Sequence, residues 1–448
     1  MPDLSGLVAR LDLFRPTGAP DDLSETERRI FRTCEVLLFL LLGMGAVSLV
    51  AQHYGLGRTP YHFRLSSAGF DMITNSGFLG IALCYARLRP PLGEQVRVAL
   101  LGLSLEAFLA YQRPASWGLT GSLMGMGLGL GLAGALGLAW HSLAGEPGRR
   151  VRARGYLAIA LFMMLFPTVT LWAHYVVIQW NPQVYDLFAV QVDRLPGFLP
   201  SFAVGTLLGN NWILLSLALL IYNELPLLLI LAVFLVMDHP ERCYNNVIGS
   251  FAGMGLAGFL LYNLYPAVGL GVLYPDAFPQ GPEPVFTGVP ELLNLPGPRN
   301  CMPSLHMSWI LCLFFAVFRV DRRVLVCALT AVGFTVLSTL YLGHYWIDLV
   351  AAFPLALIFQ ERTARSTPDN GGARRAALVG GVLLLALSLG SLRWLHAWLV
   401  AFPAATLAGE AAIVGTCLAL ERNLARATLF PAPAPAAEPA APTVPAAV

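Results

Sequence analysis

The sequence predicts an all-α, polytopic membrane protein of about twelve transmembrane helices, and three observations carry that prediction. Apolar residues fill 56% of the 448 positions and charged ones only 12%, with a mean hydropathy of +0.66, which leaves far too little polar surface for a water-soluble domain. The apolar residues gather into runs that reach or approach the roughly 17 to 25 residues needed to cross a bilayer core. The arginines alternate with those runs loop by loop, as short cytoplasmic segments accumulating positive charge require.

The runs fall near residues 33–51, 66–86, 97–113, 118–140, 155–178, 212–237, 247–267, 304–318, 324–342, 344–361, 376–392 and 395–420. The second is the weakest, because it carries Asp71 and Asn75, and only a turn around Gly343 separates the ninth from the tenth. With both ends cytoplasmic, the inner segments hold 22 of the 28 arginines; the outer loops hold Arg58, Arg64, Arg113, Arg194, Arg299 and Arg393. The chain has no lysine and is rich in Ala, Gly and Pro, a composition typical of GC-rich coding, so a bacterial inner membrane is the expected location.

A net charge of +2 with scattered arginines argues against nucleic acid as a partner. The seven cysteines have no paired spacing and imply neither a disulfide framework nor a zinc ribbon. The N-terminal segment, 1–32, is cytoplasmic in this reading; its Asp3, Asp12, Asp21 and Asp22 lack the short basic start of a cleavable signal, so the first helix is expected to act as the insertion signal. Helices within 33–150 and 376–420 read as accessory, and the Ala/Pro tail at 428–448 cannot bury a core and reads as disordered. Two outer segments exceed simple turns: 181–211 reads as a short amphipathic helix along the interface, and 268–303, rich in Pro and Gly, as a structured loop covering a site.

The chemistry concentrates in R-N-C-M-P-S-L-H at 299–306 and H-Y-W-I-D at 344–348, both at the expected outer ends of helices. His344 and Asp348 are four apart and share a helix face, so the carboxylate can hold one ring nitrogen while the other meets substrate. That is the arrangement of a nucleophile with its orienting acid. His306, on another helix, is placed to act as general acid. Anion binding is expected from the helix start, with Pro303 in its first turn, the Ser304 hydroxyl and Leu305 beside it, and from Arg299, which can clamp two phosphate oxygens.

These residues resemble the type 2 phosphatidic acid phosphatase superfamily, which includes vanadium haloperoxidases and whose pattern is K-x6-R-P, P-S-G-H and S-R-x5-H-x3-D. P-S-L-H at 303–306 matches the second element with Leu305 for Gly, and H-Y-W-I-D the histidine and aspartate of the third. The resemblance implies that His344 becomes phosphorylated, with Asp348 as its partner and His306 as acid and base, on a six-helix phosphatase-like core at 154–361. The first element is missing, since there is no lysine, and Leu337 and Ser338 stand in the S-R positions of the third. The reduced pattern resembles the branch of inositol phosphorylceramide and sphingomyelin synthases, which implies an inositolphosphotransferase-like transfer of a phosphodiester head group from a phospholipid donor to a lipid or water acceptor. No cofactor and no metal is required by that scheme. A monoanionic diester needs fewer cations than the monoester a lipid phosphatase hydrolyses, the alternative activity.

Against these stand blander readings. His53, His62, His141, His174, His239 and His396 read as ordinary interfacial or structural histidines. Asp71, Glu106, Glu224 and Glu410 lie inside apolar runs and must face the protein interior or a wet cavity. Asp186 and Asp193 either cap the interfacial helix or line the site's mouth, and Tyr262, Tyr265 and Tyr274 fit an interfacial aromatic belt. Two histidines and a carboxylate could also hold a metal, and twelve helices with buried acids would suit a secondary transporter.

Overall fold

The computed structural model describes residues 23–53, 72–112, 127–285 and 288–430. In chain order its helices are α1 (Glu25–His53), α2 (Met72–Arg87), α3 (Leu92–Gln112), α4 (Leu128–Ala144), α5 (Pro147–Trp180), α6 (Asp186–Asp193), α7 (Pro200–Gly209), α8 (Trp212–Asn223), α9 (Leu225–Asp238), α10 (Val247–Leu261), α11 (Leu270–Leu273), α12 (Leu305–Val317), α13 (Arg322–Tyr341), α14 (Trp346–Thr363), α15 (Gly371–Trp394), α16 (His396–Ala401) and α17 (Pro403–Leu429). The start of the second apolar run with Asp71, the segment holding Arg58, His62 and Arg64, the first part of the fourth run, residues 1–22 and most of the tail lie outside the described residues.

Among the described residues α13, α15 and α17 are each long and apolar enough to cross a membrane, and α7 with α8 meets the same measure as one span bent by 117°. Apolar helices of this kind mark an integral membrane protein. The count of about twelve spans and the six-helix core rest on the sequence. Side chains such as Val326 and Leu329 on α13, and Val382, Leu383 and Leu387 on α15, are exposed, as expected where lipid is the solvent.

α14 is the hub. It packs against α10, α12, α15 and α17. Leu349, Val350, Ala351, Ala352, Leu355, Ala356 and Leu357 are buried in near succession, so neighbours cover every face of the helix, and the alanines let them come close. α12 is buried almost as completely and lies against α14, α10 and α9.

Two stretches differ from the expected continuous elements. The 212–237 run is broken into α8 and α9 at Glu224, next to Pro226, whose ring has no N–H for a helix interior. The 181–211 segment is two helices, not one: α6 and α7 are separated by a turn with Gly197 at φ +95°, and α8 then starts afresh with the Asn211 side chain accepting from the Leu214 N–H. The 268–303 loop is pinned to this region. β1 (Gln183–Val184) pairs antiparallel with β2 (Leu293–Asn294), and Glu283 bridges Arg194 at 2.7 Å while accepting from the Leu199 N–H.

The buried acid Glu106 caps a helix: its carboxylate accepts the N–H groups of Gly127 and Gly129 at the start of α4. Glu224 is different, since its Oε2 is buried with no hydrogen-bond partner among the described residues.

Candidate active site

α14 starts from a tight turn. Gly343 has φ +96°, and a Cβ there would lie 2.8 Å from the Gly271 nitrogen, so the position demands glycine. The next residue, His344, is buried, and its Nδ1 lies 3.2 Å from Oδ2 of the fully buried Asp348. The same oxygen accepts the Tyr345 N–H at 2.9 Å, while Oδ1 has no hydrogen-bond partner among the described residues. With the carboxylate ionised, Nδ1 carries the proton and Nε2 the free lone pair, which is the tautomer a nucleophile needs.

A second layer of acids holds this turn. Asp193 accepts the N–H groups of Trp346 at 2.6 Å and Ile347 at 3.0 Å, closing the start of α14. Asp186 accepts from the Val268 and Gly269 N–H groups and from the Tyr345 hydroxyl at 2.7 Å. The Ser201 hydroxyl donates to the His344 carbonyl. Burial pushes both carboxyls above the usual carboxylate range, against the pull of these donors, and most strongly for Asp193. The two acids therefore neither cap α6 nor line an open mouth, since both are buried. They are seven apart, two turns on one face, and both reach across to the His344–Asp348 segment.

The other half comes from α12. Ser304 is its N-cap, with Oγ accepting the Met307 N–H at 3.3 Å. Pro303 thus precedes the cap instead of occupying the first turn. The Ser304 N–H donates to the Asp348 carbonyl at 3.2 Å, which ties the starts of α12 and α14 together and puts His306 and His344 at the same end of the bundle. The His306 ring stacks on Tyr222 of α8, with centroids 3.8 Å apart and planes 15° from parallel, and meets the edge of Trp309. Leu305 is buried in the space left by Gly258, so its side chain serves packing.

Arg299 departs from expectation. Its guanidinium donates to the carbonyls of Asn181, Pro182, Gly297 and Leu295, and it is 2% exposed. Those bonds staple the 268–303 loop to the chain after α5. A group so engaged holds the loop, not a substrate phosphate.

Groups able to ligate a metal also meet here. Ligand atoms of Cys301, His344 and Asp348 lie within 4.8 Å of one another, a trio different from the two histidines and aspartate weighed on the sequence. Cys301 and Tyr222 were missed on the sequence. Cys301 stands inside the very motif that flagged His306, whereas the stacking of Tyr222, from a distant helix, left no sequence signal.

Two of the other histidines with described side chains fit ordinary roles. His141 pairs with Glu94 at 2.6 Å, and His396 hydrogen-bonds Gln191.

Residues 188–360 match the model of the PAP2 superfamily, a stretch that contains His306, His344 and Asp348. The match supports the type 2 phosphatidic acid phosphatase superfamily for that region. No curated protein and no solved structure matches the chain.

Proposed function

We propose that the protein is a membrane-embedded lipid phosphotransferase that moves a phosphodiester head group between lipids through a phosphohistidine. A PAP2-type region points to lipid phosphatase or phosphotransferase chemistry. The observation that carries the reading is the His344–Asp348 pair, 3.2 Å apart and buried, at a helix start bonded to the helix start that bears His306.

His344 Nε2 attacks phosphorus and the bond to the leaving alkoxide breaks, while His306 gives that oxygen its proton. Asp348 stabilises the positive charge on the ring as the new P–N bond forms. An acceptor hydroxyl then attacks phosphorus, His306 takes its proton, and the P–N bond breaks to restore His344. The phosphoryl group never needs to leave the protein between the two halves.

Transfer of a diester is favoured over hydrolysis of a monoester by the charge of the site. Arg299, the one arginine of the 268–303 loop, is bound to carbonyls and is not free to neutralise a phosphate. A monoanion fits such a site better than a dianion. The arginine distribution supports an extracytoplasmic site, and the lysine-free, Ala-, Gly- and Pro-rich composition supports a bacterial inner membrane.

The test is turnover of phospholipid by purified protein in chelator, followed by lipid mass spectrometry. A new head-grouped lipid supports transfer, and free phosphate or a released head-group phosphate supports hydrolysis. Full activity in His344→Ala would remove the scheme, as would a failure to trap phosphate on His344 in acid-labile, base-stable form.

A further inference from the structure

The C-terminal end of α12 carries a second feature, away from the candidate active site. α12 has 13 residues, so its two ends are about 20 Å apart. At the far end a cavity of about 400 Å³ opens between α12 and α17, lined by Phe314, Phe318, Leu418, Arg422, Arg426 and Phe430 among others. Phe314 and Phe318 stack at 4.7 Å with planes 4° apart and form one apolar wall. Phe430 is 76% exposed and Leu418 43% exposed on the opposite side.

The charge of the cavity is not balanced. Arg319 and Glu421, which also line it, neutralise one another through two bonds of 2.9 Å, and Arg319 lies over the Phe318 ring. Arg422 and Arg426 are exposed, lie one turn apart on one face of α17, and have no acidic partner among the described residues. An apolar groove with two unpaired guanidinium groups at its rim matches an amphiphile with an acyl chain and an anionic phosphate head. The arginine distribution places this end at the inner leaflet.

We propose that this cavity binds one anionic phospholipid of the inner leaflet, its phosphate held by Arg422 and Arg426 and one acyl chain laid along Phe314 and Phe318. The lipid is a bound companion, separated by the length of α12 from any lipid undergoing reaction. The inference stands whether or not the site at the other end is catalytic.

The experiment is native mass spectrometry of the full chain released from nanodiscs containing equal phosphatidylglycerol and phosphatidylcholine. One retained phosphatidylglycerol per chain is expected, preferred roughly thirtyfold, the factor for two arginines at an anionic surface. Arg422→Gln with Arg426→Gln should bring the preference close to one, and Arg422→Lys with Arg426→Lys should keep most of it. Equal retention of both lipids by the wild type would overturn the proposal, as would undiminished preference in the double Gln variant. Displacement by inorganic phosphate at matching concentration would overturn it too, since it would show an anion site indifferent to the acyl chain.

Discussion

Asp348 bonds His344 and the Tyr345 N–H with the same oxygen, Oδ2, and this double use fixes the imidazole against the start of its own helix. One oxygen in both roles ties them together. In Asp348→Asn an amide oxygen in the Oδ2 place can still accept from both donors, but a neutral amide no longer stabilises the positive charge that builds on the ring. If instead the amide N–H donates to Nδ1, the proton moves to Nε2 and the nucleophilic lone pair is lost. We expect Asp348→Asn to fold normally and to lose roughly three to four orders of magnitude in kcat with little change in KM. Steady-state kinetics beside a thermal melt checks it, and a near-normal kcat would show that neither the charge nor the tautomer matters.

Asp193 should reveal itself through pH. Its carboxyl is pushed up by burial, with Asp348 and Glu410 adding to the effect and two backbone donors opposing it. A carboxyl whose pKa is higher folded than unfolded binds more protons in the folded state. Its contribution to stability is therefore fully present below the ordinary carboxylate range and is lost as pH rises towards the raised value. Asp193→Asn, which keeps one acceptor and does not titrate, should gain on the wild type as pH rises from about 4 upwards. Asp193→Ala should be less stable than Asp193→Asn by about 1–3 kcal/mol, because the Trp346 and Ile347 N–H groups lose their acceptors. Melting curves of the three proteins across pH decide both points; a wild type that gains stability relative to Asp193→Asn with rising pH would reverse the sign.

Much of this site was legible in the sequence because it depends on local spacing. P-S-L-H announces a capped helix start, and a histidine four before an aspartate announces their contact, although His344 precedes the N-cap Tyr345 and meets Asp348 across the start of α14 instead of along a helix face. What could not be read was the use of groups whose partners are far along the chain. Arg299 was the one arginine of its loop and so invited a phosphate, yet four carbonyls from residues 181–182 and 295–297 claim it. Asp186 and Asp193 read as caps of their own helix, but Asp193 closes the start of α14 over 150 residues away and Asp186 holds loop N–H groups over 80 residues away. The break at Glu224 was missed, because both halves of the 212–237 run are apolar and hydropathy does not register Pro226.

Arg299 now yields a prediction opposite to that of a phosphate clamp. Arg299→Gln removes most of the bonds that pin the 268–303 loop and leaves buried carbonyls unsatisfied, at a cost on the order of 2–4 kcal/mol. The folded fraction should bind its donor lipid with an unchanged KM. Limited proteolysis should cut the loop faster in the variant, and kinetics at a temperature well below the melt should separate the two roles. A large rise in KM with unaltered stability would restore the clamp.

Tyr222 is the residue whose role the structure adds. Its ring lies flat on His306 at 3.8 Å, from a helix that ends one residue before the break at Glu224. A general acid has to present one ring nitrogen to the leaving oxygen in the first half-reaction and take a proton back in the second, so the plane of its ring matters. Stacking acts on the face of the ring and fixes that plane. An offset ring pair contributes about 0.5–1.5 kcal/mol beyond its buried area, which corresponds to roughly two- to tenfold in rate if it is lost at the transition state. Tyr222→Phe keeps the ring and should retain near wild-type kcat. Tyr222→Ala should lose that factor or more in kcat, with a smaller effect on KM, and Tyr222→Leu should resemble Ala despite filling the volume. If Leu restores activity as well as Phe, the residue is packing alone, and the orientation of His306 must be set by Trp309 instead.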